Sequence, residues 1–183
     1  MTKRQEKIIR IMEPDQLRRV IMRISHEILE KTENHEDLAI VGIVTRGAHL
    51  ARRVVDNIKE IEGINPPFGI LDITLHRDDL DISGTREMHK TEINFDLNEK
   101  NIVLVDDVLF SGRTVRAALD EITDYGRPKK IQLAVLIDRG HRELPIRADC
   151  VGKNIPTSFD EKVRVHLKEE DGEDVVLLVK QED

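Results

Sequence analysis

Two adjacent carboxylates, Asp106 and Asp107, follow the apolar run 102–105 and precede a Ser-Gly-Arg-Thr turn at 111–114. A buried parallel strand that ended there would place both carboxylates in the crevice where open α/β sheets bind ligands. The turn would supply backbone N–H groups and hydroxyls at the start of a helix, where a phosphate binds favourably. Since carboxylates repel a bare phosphate, we expect them to hold ribose hydroxyls or a divalent cation, with the phosphate one turn further along.

Other phosphate and nucleotide motifs explain this stretch less well. A dinucleotide site needs a glycine fingerprint after the first strand and a P-loop needs Gly-Lys-Ser or Gly-Lys-Thr, and the sequence has neither. A receiver-type acidic pocket would use Asp106 and Asp107 but leaves the turn at 111–114 unexplained. A strand–turn–helix with an ordinary capping residue leaves two carboxylates at a buried strand end unexplained.

The composition predicts a single α/β domain over residues 1–183. Charged residues make up 36% of the chain, no apolar run reaches membrane-spanning length, and the N-terminus is polar. The single cysteine, Cys150, excludes an internal disulfide and a cysteine-based zinc site. We therefore expect a cytoplasmic protein without a membrane partner.

The charge is unevenly distributed along the chain. The net charge of −7 argues against a generally nucleic-acid-binding protein. Residues 126–153 nevertheless carry seven basic against three acidic side chains, whereas residues 160–183 carry nine acidic against four basic ones. This pattern predicts a local basic surface on an acidic protein.

Strand-like and helix-like segments alternate along most of the chain. We predict helices at 15–31, 48–61 and 114–125, strands at 38–44, 68–76, 102–106 and 131–137, and two further strands, 163–167 and 175–179, around an Asp171-Gly172 hairpin turn. The alternation predicts a mostly parallel central sheet with helices on both faces. Within the first helix, Arg19, Arg23, His26 and Glu30 share one polar face.

Three connecting segments carry further candidates. Thr45-Arg46-Gly47 follows the strand 38–44 and should therefore face the same crevice as the two carboxylates. Residues from about 77 to 98 form a polar stretch too long for an ordinary connector, and loops of that size are usually either functional or disordered. The segment 138–158 is a basic, turn-rich excursion after a buried strand.

The stretch 102–114 resembles the 5-phosphoribosyl-1-pyrophosphate (PRPP) motif of the type I phosphoribosyltransferases. The segment 138–158, with 23–28, 72–79 and 126–128, is similar to the bacterial pyrimidine operon attenuation regulators of that family, which are also uracil phosphoribosyltransferases. The resemblance covers nearly the whole chain and is weakest at 1–10, at 80–98 and in the acidic C-terminal hairpin.

The resemblance implies a type I phosphoribosyltransferase fold, with a small C-terminal hood from about residue 138 onward and a flexible lid loop at about 77–98. Asp106 and Asp107 would contact the ribose hydroxyls and Arg46 the pyrophosphate, and these three would be the catalytic residues. The whole set implied to bind PRPP or UMP is Thr45, Arg46, Gly47, Asp106, Asp107, Val108, Leu109, Phe110, Ser111, Gly112, Arg113, Thr114 and Arg139. Possible lid contacts are Arg77, Arg86, His89 and Lys90.

Mg²⁺ would accompany PRPP, held mainly through the substrate rather than by an assigned set of protein ligands. As in related pyrophosphate loops, we expect a strained or cis peptide bond at Thr45–Arg46 or at the bond next to it. Uracil, PRPP and UMP would be the small-molecule partners.

The resemblance also implies binding of a stem-loop in pyrimidine-operon leader RNA, favoured by UMP. The matching positions are Arg23, His26, Arg142, Arg147 and Lys153, while Met22 stands where better-known members carry a hydroxyl residue. A homodimer or higher homo-oligomer would present this surface. The sequence leaves open whether catalysis or RNA regulation dominates, and whether the base is uracil or a purine or orotate.

Overall fold

Five parallel strands form the central sheet of the computed structural model, which describes residues 6–74 and 90–181. They are β2 (Leu38–Ile43), β3 (Phe68–Leu71), β4 (Asn101–Leu109), β5 (Lys130–Asp138) and β6 (Cys150–Asn154), in the spatial order β3-β2-β4-β5-β6. All six residues of β2 are buried, as expected of a parallel strand that is covered on both faces. The predicted mostly parallel sheet is confirmed.

Three long helices cover the two faces of this sheet. They are α1 (Pro14–Glu30), α2 (Arg46–Glu62) and α3 (Arg113–Tyr125), and a short 3₁₀ turn spans His35–Asp37. Apolar side chains of α1 and α2 pack with Ile40 and Val103 in one core cluster. Those of α3 pack with Val41 and Leu104 in a second cluster. Because neighbouring strand residues point to opposite faces, these two clusters are the two sides of the sheet.

A second, smaller sheet is antiparallel and draws on distant parts of the chain. It consists of β1 (Glu6–Met12), β8 (Val175–Gln181) and β7 (Lys162–His166), in the order β1-β8-β7. The two predicted strands pair antiparallel as expected, but the predicted turn at Asp171-Gly172 is wrong, since a one-turn helix, α4 (Lys168–Asp171), joins β7 to β8. Gly172 ends this helix with a φ of 83°, a left-handed conformation that suits glycine.

Two strands were not predicted, and because of them the small sheet is not built only from residues after 138, as the expected hood would be. β1 comes from the amino-terminal region yet pairs along β8, whereas β6 lies after residue 138 yet belongs to the central sheet. The Cys-Val-Gly-Lys-Asn sequence of β6 has no apolar run. Its Gly152 permits a close approach instead, because a Cβ there would lie 2.3 Å from Leu136 O and 2.7 Å from Val20 Cγ1 of α1.

The predicted lid falls largely outside the described residues, including its candidates Arg77, Arg86 and His89. Its far end is described and is not an open loop. Glu92 exchanges two backbone hydrogen bonds with Ile70 of β3, and Leu97 is buried. The segment from about residue 92 to 97 is therefore packed against the edge of the sheet, while Lys90 before it is exposed.

Candidate active site

The crevice at the carboxyl ends of β2 and β4 brings the acidic pair and the 45–47 turn together. Asp106 is buried and Asp107 is half-buried, and both lie within β4, which runs past its predicted end to Leu109. Gly47 packs directly on this strand, since a Cβ there would lie 2.6 Å from Val105 O and 3.4 Å from Asp106 Oδ1. Only a glycine lets the turn approach the carboxylates so closely.

Backbone amides hold one oxygen of each carboxylate. The N–H of Asp107 donates to Asp106 Oδ1 at 2.9 Å, and the N–H of Val108 donates to Asp107 Oδ1 at 2.8 Å. Burial raises the pKa of Asp107 above its ordinary value, while these hydrogen bonds and the positive charge of Arg46 act in the opposite direction. The orientation of each carboxylate is thus fixed by a backbone N–H group of β4 itself.

The turn after β4 forms a small cradle at the start of α3. Gly112 occupies the N-cap position with a φ of 93°, and the Arg113 N–H donates to Ser111 Oγ at 3.3 Å. A cavity of about 90 Å³ opens there, lined by Asp106, Val108, Leu109, Phe110, Ser111, Gly112, Thr114 and Val115. The Arg113 side chain does not line this cavity and instead pairs with Glu143, with Nε 2.6 Å from Oε2.

Arg46 stands at the first turn of α2 and is paired with a residue that the sequence did not indicate. Its Nη2 lies 2.6 Å from Asp171 Oδ1 and its Nε lies 3.0 Å from Asp171 Oδ2, a side-on bidentate pair with α4. The acidic composition of 160–183 was the available signal, but it did not reveal the partner. The Val44–Thr45 peptide bond is cis. It is the bond next to Thr45–Arg46, so the prediction of a strained or cis bond at one of these positions is confirmed.

Arg139 follows β5 and connects the segment after residue 138 to the cradle. Its guanidinium lies 4.2 Å from the ring centroid of Phe110, and it donates to Thr157 Oγ1 at 3.2 Å and to Ser158 O at 3.3 Å. Burial lowers the pKa of this guanidinium, although the charge of Glu161 raises it. The residue is thus fixed beside the cavity rather than extended into solvent.

An aromatic cluster beside the cradle was missed by the sequence analysis. The rings of Phe110, His141 and Phe159 meet with centroids 5.6 to 6.1 Å apart in tilted or edge-to-face contacts. Phe159 is 71% exposed, which is unusual for a large apolar side chain. The signal was available, because a lone phenylalanine in the polar run 156–162 has no core to join.

Four of the five predicted RNA-binding residues are exposed, namely Arg23, His26, Arg147 and Lys153. Arg23 of α1 reaches across to β6, where its Nη2 donates to Gly152 O at 2.5 Å. The structure therefore brings α1 and the basic segment after β5 side by side.

Arg142 differs from these four because it is held inside the protein. It donates to Phe110 O at 2.8 Å and to Ile146 O at 2.9 Å, and it forms an ion pair with Asp138. The guanidinium is therefore occupied by contacts within the protein, and through Phe110 it stabilises the cradle. Met22, which stands where better-known members of the family carry a hydroxyl residue, is half-buried on α1.

Neither a metal-binding cluster nor a membrane-crossing helix is found among the described residues. Over 6–74 and 90–181, no three His, Cys, Asp or Glu side chains are grouped so that they could hold a metal ion. Within the same ranges, no helix has both the length and the apolar character needed to cross a membrane.

Comparison with known proteins places the chain in a family. The phosphoribosyl transferase domain model matches residues 11–170. A protein of Caldicellulosiruptor bescii named bifunctional protein PyrR is 59% identical over 174 residues, which cover 94% of this chain and 96% of the relative. A protein of Deinococcus radiodurans with the same name is 54% identical over 174 residues, covering 94% and 95%.

Solved structures with a similar fold are much more distant in sequence. The hypoxanthine-guanine phosphoribosyltransferase of Bacillus anthracis superposes with a TM-score of 0.72 at 19% identity, covering 97% of this chain and all of that one. A hypoxanthine phosphoribosyl transferase of Trypanosoma cruzi gives 0.69 at 16% identity, covering 98% and 94%. These two likenesses concern the fold, whereas the family model and the close relatives show that the chain belongs to the phosphoribosyltransferases and, among them, to the PyrR proteins.

Proposed function

We propose that this protein is a uracil phosphoribosyltransferase that is also a UMP-responsive, RNA-binding regulator of pyrimidine operon expression by transcription attenuation. As an enzyme it joins uracil to PRPP and releases UMP and pyrophosphate. The observation that carries the proposal is one crevice in which the acidic pair of β4, the cradle at 110–114 and the 45–47 turn converge.

The enzymatic role follows from the charges around this crevice. The bond from the ribose carbon to pyrophosphate breaks as the bond to a uracil nitrogen forms, and the proton of that nitrogen is lost to the pyrophosphate or to solvent. Positive charge develops on the ribosyl group as the pyrophosphate departs. Asp106 and Asp107 can hold the ribose hydroxyls, and their negative charge favours this transition state. The cradle N–H groups bind the 5′-phosphate, and Arg46 offers a forked donor to the pyrophosphate.

Mg²⁺ fits the same site as a companion of the substrate. Carboxylate oxygens are the hard ligands that Mg²⁺ prefers, and one oxygen of each aspartate is taken by a backbone N–H. With so few protein ligands, the remaining coordination would come from PRPP oxygens and water. The ion would neutralise charge on the leaving pyrophosphate.

Base recognition belongs to the hood side of the cradle. The exposed ring of Phe159 offers a face on which a planar base can stack, and Arg139 is held nearby by its contacts with Phe110 and Thr157. The part of the predicted lid that precedes residue 92 would close over the bound substrates and exclude water from the reactive ribosyl centre.

The regulatory role uses a different surface. Arg23, His26, Arg147 and Lys153 are exposed on an otherwise acidic protein, which suits contacts with RNA phosphates. Paired subunits of a homodimer would extend this surface. A basic patch away from the crevice would let RNA and UMP bind at the same time.

A steady-state assay with uracil, hypoxanthine, guanine and orotate, each with PRPP and Mg²⁺, tests the enzymatic half. We expect turnover with uracil and a preference over each of the other bases. Faster turnover of a purine or of orotate would overturn the assigned base. Gel-shift titration with a leader stem-loop, with and without UMP, tests the regulatory half, and equal RNA affinity in both would count against it.

A further inference from the structure

The segment 168–174, which contains α4, meets α2 through contacts between acidic and basic side chains. Arg53 binds Glu169 at 2.6 Å and Asp174 at 2.7 Å, and His49 Nε2 lies 3.5 Å from Glu170 Oε2. The Arg53 contacts anchor the segment on α2 without involving Arg46. The acidic composition of 160–183, to which the proposed function assigns no role, is thus concentrated where it meets α2.

Asp171, the last residue of α4, is itself firmly oriented. Its Oδ2 accepts from the Leu167 N–H at 2.9 Å, its own N–H donates to Leu167 O at 2.7 Å, and its side chain is 17% exposed. The carboxylate binds Nε and Nη2 of Arg46 side-on. The hydrogen bonds to Asp171, and then its negative charge, raise the pKa of Arg46, so this positive charge is held in place by a fixed partner.

The pair leaves part of the guanidinium available. A guanidinium has five N–H groups, and a side-on carboxylate uses the Nε–H and one Nη2–H. The Arg46 side chain is one-third exposed, and among the described residues its other N–H groups make no protein hydrogen bond. A phosphate group can therefore bind the Nη1–Nη2 edge while Asp171 keeps the other edge.

We propose that Asp171 is a positioning residue that holds Arg46 ready for the diphosphate of the substrate. A free arginine side chain loses rotamer entropy when a ligand fixes it. Because Asp171 fixes Arg46 before the ligand arrives, the diphosphate binds more tightly. The inference rests on the proposed role of Arg46 as a diphosphate ligand.

The test compares three variants of the full chain by calorimetric titration with PRPP, pyrophosphate and UMP, each with Mg²⁺. Asp171→Asn removes the charge but keeps an oxygen that can accept from the Leu167 N–H. Glu169→Gln is the matched control, because it weakens another α4–α2 ion pair while Asp174 still holds Arg53. Arg46→Ala reports separately on the proposed function.

We expect Asp171→Asn to weaken the binding of PRPP and of pyrophosphate roughly tenfold. This is less than the hundredfold effect that a misplaced group can cause. UMP affinity should not change, because UMP carries no diphosphate, and Glu169→Gln should match the parent for all three ligands. Unchanged or tighter PRPP binding in Asp171→Asn would overturn the inference, as would an equal loss in Glu169→Gln. If Arg46→Ala binds PRPP like the parent, the assigned role of Arg46 fails as well.

Discussion

Gly47 and Val105 are in such close contact that a side chain at residue 47 would displace the strand carrying the acidic pair. A Cβ on Gly47 would lie 2.6 Å from Val105 O and 3.1 Å from Asp106 Cα, and both of these are backbone atoms. The pyrophosphate side and the ribose side of the proposed site are therefore joined by one rigid backbone contact. Their separation is set by the absence of a side chain.

Gly47→Ala should therefore lower activity more than it lowers stability. Overpacking of this kind destabilises a protein by about 1–3 kcal/mol, and here the displaced atoms carry Asp106. We expect cooperative urea unfolding with a lowered midpoint, and at least a tenfold loss in kcat/KM for PRPP, since small misplacements at a reacting centre are costly. Parent-like kinetics in a folded Gly47→Ala protein would contradict this tight contact.

Asp107→Asn should reduce turnover strongly while the protein stays folded. A hydrogen bond between a charged group and the substrate is worth about 1.5–3 kcal/mol, which corresponds to roughly 10- to 100-fold in rate. The measurement is kcat at saturating PRPP and uracil, with circular dichroism as the check on folding. If kcat equals that of the parent, Asp107 does not hold the ribose.

The same variant should be more stable than the parent at neutral pH. Burial raises the pKa of Asp107 in the folded state, so the ionised carboxylate opposes folding at a pH above that value. This penalty disappears as the pH falls through the raised pKa and below the ordinary aspartate range. Urea titrations should therefore show an advantage for Asp107→Asn at pH 7 that shrinks towards pH 3. A constant difference across that range would argue against a raised pKa.

Arg142 and Arg147 should separate RNA binding from site integrity. Arg147 is exposed, so Arg147→Ala should weaken RNA binding and reduce the slope of log K against log salt by about 0.7–0.9, with little change in transferase rate. Arg142 holds the carbonyls of Phe110 and Ile146, so Arg142→Ala should instead lower stability by about 1–3 kcal/mol and weaken PRPP binding. A normal transferase with weak RNA binding in Arg142→Ala would restore Arg142 to the RNA surface.

UMP and RNA should strengthen each other's binding by the same factor. Thermodynamic linkage requires that if UMP tightens RNA binding, RNA tightens UMP binding equally. UMP titrations with and without a saturating leader stem-loop measure the second effect directly. Equal UMP affinity in the two titrations, with RNA shown to be bound, would mean that the two sites are uncoupled.

Contiguous signals were read from the sequence with good accuracy. The strand and turn around Asp106 and the position of residues 45–47 after β2 were predicted because each motif is carried by neighbouring residues, although Arg46 and Gly47 belong to α2 rather than to the predicted turn. The parallel sheet was predicted because buried strands are continuous apolar runs. That these residues bind PRPP stays a prediction.

Long-range partners could not be read in the same way. Arg46 and Asp171 are 125 residues apart, and nothing local distinguishes Asp171 from the other acids near it. β1 and β6 were missed because their sequences are mixed and their strand pairing depends on β8 and β5, which come from elsewhere in the chain. Arg142 was assigned to the RNA surface through the family resemblance of the basic segment, whereas here it binds the carbonyls of Phe110 and Ile146.

The pairing of β1 with β8 makes the amino-terminal region a structural support for the crevice. β8 follows α4 directly, and β1 covers one edge of β8 over the register from Glu6–Gln181 to Met12–Val176. Loss of β1 would expose that edge and loosen the segment on which Asp171 stands. Truncations or disruptive substitutions before residue 13 would then lower kcat/KM for PRPP, although they lie outside every motif that identifies the enzyme.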